Sequence, residues 1–109
     1  MIRRGDLLPI ALAGDFGKPR PALVIQSDLF DQHPTVTVLL VSSTLADAPL
    51  LRVTVNPSLQ NGLQSISQVM IDKTMTVRRE KLGNSFGKLE FETLQEVERC
   101  LAVFLGVVK

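Results

Sequence analysis

Arg20 stands between Pro19 and Pro21 in the stretch KPRPALVIQ. Pro19 fixes the backbone before it, and Pro21 drives the residue it follows towards extended φ/ψ. The guanidinium therefore leaves the chain in a defined direction. Its donors form a fork that matches two phosphate oxygens at once. Lys18 lies two residues earlier, and Ser42, Ser43 and Thr44 follow the apolar run TVTVLLV. Asp72 and Lys73 follow SQVMI, with Arg78, Arg79 and Lys81 soon after. A fixed arginine, a hydroxyl and a lysine at neighbouring strand ends would make a phosphodiester site that needs no metal. The same residue types also suit solvated strand ends, and the types alone leave both readings open.

Other chemistries have weaker support. His33, in DQHPT, is the only histidine, and the carboxylates lack the clustered spacing of a metal site. No metal and no cofactor are expected. Cys100 is the only cysteine, so neither an intrachain disulfide nor a zinc site of paired thiolates can form. It falls in a helical pattern and reads as a small buried hydrophobe. No GxSxG elbow accompanies a serine, and GDFG and GNSFG lack the spacing of a phosphate-binding loop.

The elements that must position these groups follow from hydrophobic patterning. The chain has 109 residues and 45% apolar content, which suits one globular domain over 1–109. A net charge of +1 argues against a wholly basic surface and leaves room for a local basic groove. In MIRRGDLLPIALAG, Asp6 and Pro9 interrupt the apolar run, so the segment reads as a strand and not as a secretory leader. No stretch reaches the ~20 apolar residues of a membrane span. A cytoplasmic protein is expected.

Strands are expected over 7–12, 21–26, 35–41, 50–55, 68–71 and 86–89. The continuous run at 21–26 predicts burial on both faces. Loops are expected at 14–18, 42–48 and 56–65, the last marked by Pro57 and Asn61-Gly62. A turn with a short helix around Leu29 fills 27–34, and 74–81 reads as a connector. A helix over 91–108 carries the stripe Leu94, Val97, Leu101, Phe104, Leu105 and Val108. The expectation is a small, mainly β, α+β domain: an antiparallel barrel or curled sheet closed by a C-terminal helix.

RRGDLLPIAL, KPRPALVIQSD, TVTVLLVSSTL and SQVMIDKTMTVRREKLG, in that order, resemble the MazF/PemK family of toxins from bacterial toxin–antitoxin pairs. The GD of the first strand and the RPALV of the second are the most specific pieces. The resemblance implies an SH3-like barrel that forms a homodimer, and a sequence-specific, metal-independent endoribonuclease. Single-stranded RNA would be cut by its own 2′-hydroxyl, leaving a 2′,3′-cyclic phosphate and a 5′-hydroxyl. An antitoxin with an acidic, apolar tail would block the groove.

By the same resemblance Arg20 matches the arginine of the family's RP motif. The family's strand-end hydroxyl, usually threonine, falls on Ser42 in an ungapped match, with Thr44 as the alternative. Serine keeps the donor and acceptor but lacks the methyl that restrains the rotamer. RNA supplies its own nucleophile, so Arg20 is assigned to stabilising phosphorane charge. A guanidinium gives up its proton only in strong alkali, so proton transfer stays open. The expected substrate-binding set takes in Asp15, Phe16, Gly17 and Lys18 of the first loop, with Pro21, Ser43, Gln68, Asp72 and Lys73. Phe16 would either stack on a base or pack its loop down. With no Trp or Tyr in the chain, base recognition would lean on hydrogen bonds more than on stacking. Two other readings share the fold. One is a gyrase poison of the CcdB type, against which the RP motif and the Trp-free ending FLGVVK weigh. The other is a weakly active relative that mainly binds its antitoxin.

Overall fold

The structure, a computed structural model, describes residues 1–12 and 18–108. Six strands, β1 (Asp6–Ala11), β2 (Pro19–Val24), β3 (Thr35–Ser42), β4 (Arg52–Val55), β5 (Ser67–Arg78) and β6 (Gly87–Lys88), precede one helix, α1 (Phe91–Phe104). They form one sheet in the order β4-β5-β3-β2-β1-β6, with every pairing antiparallel.

Alternation along the strands builds two cores. Leu7, Leu23, Leu39, Val41, Val53, Val69 and Ile71 face α1, where Val97 and Cys100 are fully buried. Leu8, Ile10, Ala22, Val24, Val36 and Val38 fill the other face. Ala22, Leu23 and Val24 are thus buried on both sides, as an unbroken apolar run predicts, whereas Pro21, Ile25 and Gln26 of the expected run 21–26 are only half-buried. The second core is covered by the sheet's own curl: Met75, Val77 and Leu82 pack on it, and a bridge from Leu82 to Ile10 draws the chain after β5 back to β1.

Four elements differ from expectation by two residues or more, the first being β2, which spans Pro19–Val24 and not 21–26. Residues 68–71 and most of the supposed connector 74–81 are one long strand, β5. Thr74 pairs with Leu39 and Val69 with Val41, so five steps along β5 answer two along β3. That irregularity bends β5 and hides its continuity. β4 starts at Arg52 because Leu51 and Arg52 both donate to the Ala48 carbonyl in a turn. The helix stops at Phe104, not 108. Gly106 takes φ +76, and Gly106 N and Val107 N donate to the Val103 and Ala102 carbonyls, a Schellman stop. Phe104, Leu105 and Val108, the far end of the stripe, are 48%, 62% and 52% exposed. Among the described residues no helix is long and apolar enough to cross a membrane.

The GD pair has a local cause. Gly5 takes φ +91, where an L side chain is strained. Asp6 is buried, accepts from the Arg3 N–H at 2.8 Å and pairs with Lys88 Nζ at 3.2 Å, which fixes the entry into β1.

Candidate active site

Arg20 sits on β2 opposite Ile10 of β1, and Pro21 opposite Pro9. On the other side, the β2–β3 ladder runs from Val24↔Val38 only as far as Ala22↔Leu40. Pro21 has no N–H to extend it. Carrying that register two residues further brings Arg20 opposite Ser42, where β3 ends. The prolines thus hold Arg20 on a strand end beside the strand-end hydroxyl.

A groove of about 1040 Å³ opens at this point. One wall is made by Lys18, Pro19, Arg20 and Pro21 with Ser42, Ser43 and Thr44. The other is made by Gly62, Leu63, Gln64, Ser65 and Phe86, with Pro9, Val41 and Ser67 beneath. Lys18 and Arg20 are the only charged residues among the described lining residues, and both are exposed. The described lining is therefore electropositive and offers no carboxylate, imidazole or thiol.

Ser42 is held in place. Its Oγ accepts from the Thr44 N–H at 3.0 Å, a short side-chain turn that leaves its O–H free to donate. That bond restrains the rotamer in place of the methyl that serine lacks. Ser43 and Thr44 are exposed on the same wall.

Gln68 lies close by but spends its amide on the protein. It pairs in register with both Ser42 of β3 and Thr54 of β4 and is 6% exposed. Oε1 accepts from the Ala46 N–H, while Nε2 donates to the Ala46 carbonyl and to Thr54 Oγ1. Asp72 sits at the bend of β5, away from the groove lining. It accepts from Arg52 Nη1 at 2.6 Å, and that bond holds its carboxyl below the ordinary range. Lys73 Nζ lies 3.9 Å from Asp72. Asp15, Phe16 and Gly17 fall outside the described residues. Cys100 is fully buried against the core, and burial pushes its thiol up from the usual value. His33 contributes its carbonyl, which accepts from Arg79 Nε.

The second wall is what sequence reasoning missed. Asn61-Gly62 marks a turn, but nothing in its spacing shows that the turn lines the same groove as Arg20. Asn61 fixes it from inside, fully buried. Oδ1 accepts from the Ser58 and Leu63 N–H groups, and Nδ2 donates to the Asn56 carbonyl and to Glu90 at the start of α1.

Comparison with known proteins agrees with this architecture. Residues 3–105 match the family described as PemK-like, MazF-like toxin of type II toxin–antitoxin system. A probable endoribonuclease MazF of Mycolicibacterium smegmatis (strain ATCC 700084 / mc(2)155) is 43% identical over 107 residues, spanning 97% of this chain and 98% of that one. An endoribonuclease in complex with its cognate antitoxin from Mycobacterial species superposes with a TM-score of 0.84 at 22% identity, covering 100% of this chain and 99% of that one. The Mycobacterium tuberculosis toxin MazF-mt6 gives 0.79 at 22% identity, with 93% and 96% covered. These likenesses bear out the curled antiparallel sheet with its closing helix.

Proposed function

We propose that this chain, which belongs to the PemK-like, MazF-like toxins of type II toxin–antitoxin systems, is a sequence-specific endoribonuclease that cuts single-stranded RNA without a metal ion. The observation that carries the reading is the groove that Lys18 and Arg20 line together with Ser42, Ser43 and Thr44, with no carboxylate among the described lining residues.

In this reaction the RNA 2′-hydroxyl loses its proton and its oxygen bonds to the adjacent phosphorus. The bond from phosphorus to the 5′-oxygen breaks, and that oxygen takes up a proton. The products are a 2′,3′-cyclic phosphate and a 5′-hydroxyl. Charge builds on the phosphorane oxygens in between. Arg20, fixed by its flanking prolines, donates to those oxygens and stabilises them electrostatically. Lys18 adds positive charge along the backbone path. Ser42 orients a phosphate oxygen with its O–H, while the Thr44 N–H holds its Oγ. Thr44 is the alternative hydroxyl.

The protein works in the cytoplasm as a homodimer, and an antitoxin with an acidic, apolar tail silences it by covering the groove. The exposed apolar end of α1 (Phe104, Leu105, Val107 and Val108) supports association with a second chain. The test is incubation of the purified protein with a long single-stranded RNA in excess EDTA. Fragments with 5′-hydroxyl ends, cut at one recurring short sequence, are expected. Intact RNA, or 5′-phosphate ends, would overturn the mechanism.

A further inference from the structure

The groove that Arg20 lines also holds two kinds of group that an unpaired base uses. Phe86 lines the groove and is 41% exposed. Of the other described phenylalanines, none lies in the lining. Its backbone is fixed: Phe86 N donates to the Leu7 carbonyl at 2.9 Å, and Gly87 after it pairs with Leu7 in the sheet. The ring lies close against Gly62, where an added Cβ would come within 3.1 Å of ring Cδ1. Gln64, on the same wall, is exposed, and its side-chain amide makes no hydrogen bond to another described residue. It thus keeps two donors and an acceptor unspent.

Single-stranded RNA is read by stacking splayed bases on aromatic faces and by hydrogen bonds to their edges. We propose that Phe86 and Gln64 form a base subsite: Phe86 is the stacking platform for one nucleobase beside the scissile phosphate, and Gln64 reads its edge. This inference rests on the nuclease reading above. It divides the groove into a wall that handles phosphate and a wall that selects the base. The close approach of Gly62 to Phe86 holds the platform against the turn that carries Gln64.

The test uses binding to short single strands that cannot be cleaved, because they lack every 2′-hydroxyl. One probe is a mixed-base 2′-deoxy strand; the other is an equally long strand of abasic tetrahydrofuran units. Phe86→Leu should weaken binding of the base-bearing strand by roughly tenfold and leave the abasic strand unchanged. Phe86→Tyr, which keeps an aromatic face, should restore it. Gln64→Ala should slow cleavage at the preferred sequence and relax the base preference at one position of the cut site. Equal losses on both strands would make Phe86 merely structural, and no loss would make it a bystander; either overturns the subsite. If the unaltered protein neither cuts RNA nor binds the base-bearing strand, the nuclease reading falls and the subsite with it. If it does both while the Phe86 and Gln64 variants behave like it, only the subsite falls.

Discussion

Gln68 holds Ala46 by both ends of its amide, accepting from its N–H at 2.9 Å and donating to its carbonyl at 3.1 Å. No residue but glutamine or asparagine offers a donor and an acceptor in that geometry. The bond pair ties down the segment that follows Ser42, Ser43 and Thr44. Gln68→Glu keeps the acceptor but turns the donor into an oxygen facing the Ala46 carbonyl. We expect kcat on RNA to fall between about ten- and a hundredfold as the hydroxyls lose their position, with KM little changed. Stability measured by urea should fall by about 1–3 kcal/mol. An unaltered kcat alongside that loss of stability would limit Gln68 to holding the fold.

Arg20 is exposed at a strand end, so its removal tests chemistry more than folding. Arg20→Ala should cost roughly a hundred- to a thousandfold in kcat, the scale for loss of one preorganised charge-stabilising donor. Stability should change by less than about 1 kcal/mol. Arg20→Lys should recover part of the rate, because a point charge replaces the fork without its two-oxygen geometry. Growth arrest and RNA cleavage undiminished in Arg20→Ala would place the reaction elsewhere.

Ser42→Ala should slow cleavage more than Thr44→Ala. Ser42 sits opposite Arg20 in the continued register, and its Oγ is already oriented by the Thr44 N–H. Ser42→Ala also leaves that N–H without its side-chain acceptor. Ser42→Thr should retain most of the activity. Single-turnover rates on one RNA settle the order, and a larger loss in Thr44→Ala would shift the functional hydroxyl by two residues.

Much of the first wall was legible in the sequence because it depends on neighbours along the chain. Two prolines fix Arg20, a β-branched run makes β3, and small polar residues end it. The both-face burial of Ala22, Leu23 and Val24 likewise follows from their composition. The second wall was not legible because its causes are remote. Asn61 is positioned by Asn56, Ser58 and Glu90, the last 29 residues away, and Phe86 by Leu7 at the other end of the chain. β5 was hidden for a different reason. Its second half, from Lys73 to Arg78, is largely exposed, so it shows no apolar run. The end of α1 was signalled by Gly106, a residue type that stops helices, against an apolar stripe that runs past it.

Glu90 makes the loop's attachment pH-dependent. Ser58 Oγ donates to its Oε2 at 2.6 Å and Asn61 Nδ2 to its Oε1 at 3.1 Å. The Ser58 bond first, with the Asn61 bond beside it, holds the Glu90 carboxyl below its ordinary value against the opposing effect of burial. A carboxylate depressed in the folded state stabilises above its unfolded pKa, and that contribution is lost as pH falls through the folded value. Glu90→Gln should therefore cost about 1 kcal/mol at neutral pH and progressively less below about pH 4. Urea melts of both proteins across that range check it. A cost that stays constant with pH would show that the carboxylate charge plays no part.

Gly62 and Gly106 both take positive φ, at +69 and +76, yet their alanine variants should differ in kind. A Cβ at Gly106 meets nothing within 4 Å, so Gly106→Ala carries only the conformational cost, about 1 kcal/mol, and should leave cleavage alone. A Cβ at Gly62 would collide with the Phe86 carbonyl oxygen and crowd its ring. That adds steric strain to the same backbone cost, for a total of about 2–4 kcal/mol. Because Phe86 must move to relieve it, Gly62→Ala should also raise KM for RNA, with the Arg20 wall untouched. Thermal melts paired with steady-state cleavage separate the two effects. Equal behaviour of the two variants in cleavage would mean that the approach of Gly62 to Phe86 has no bearing on the groove.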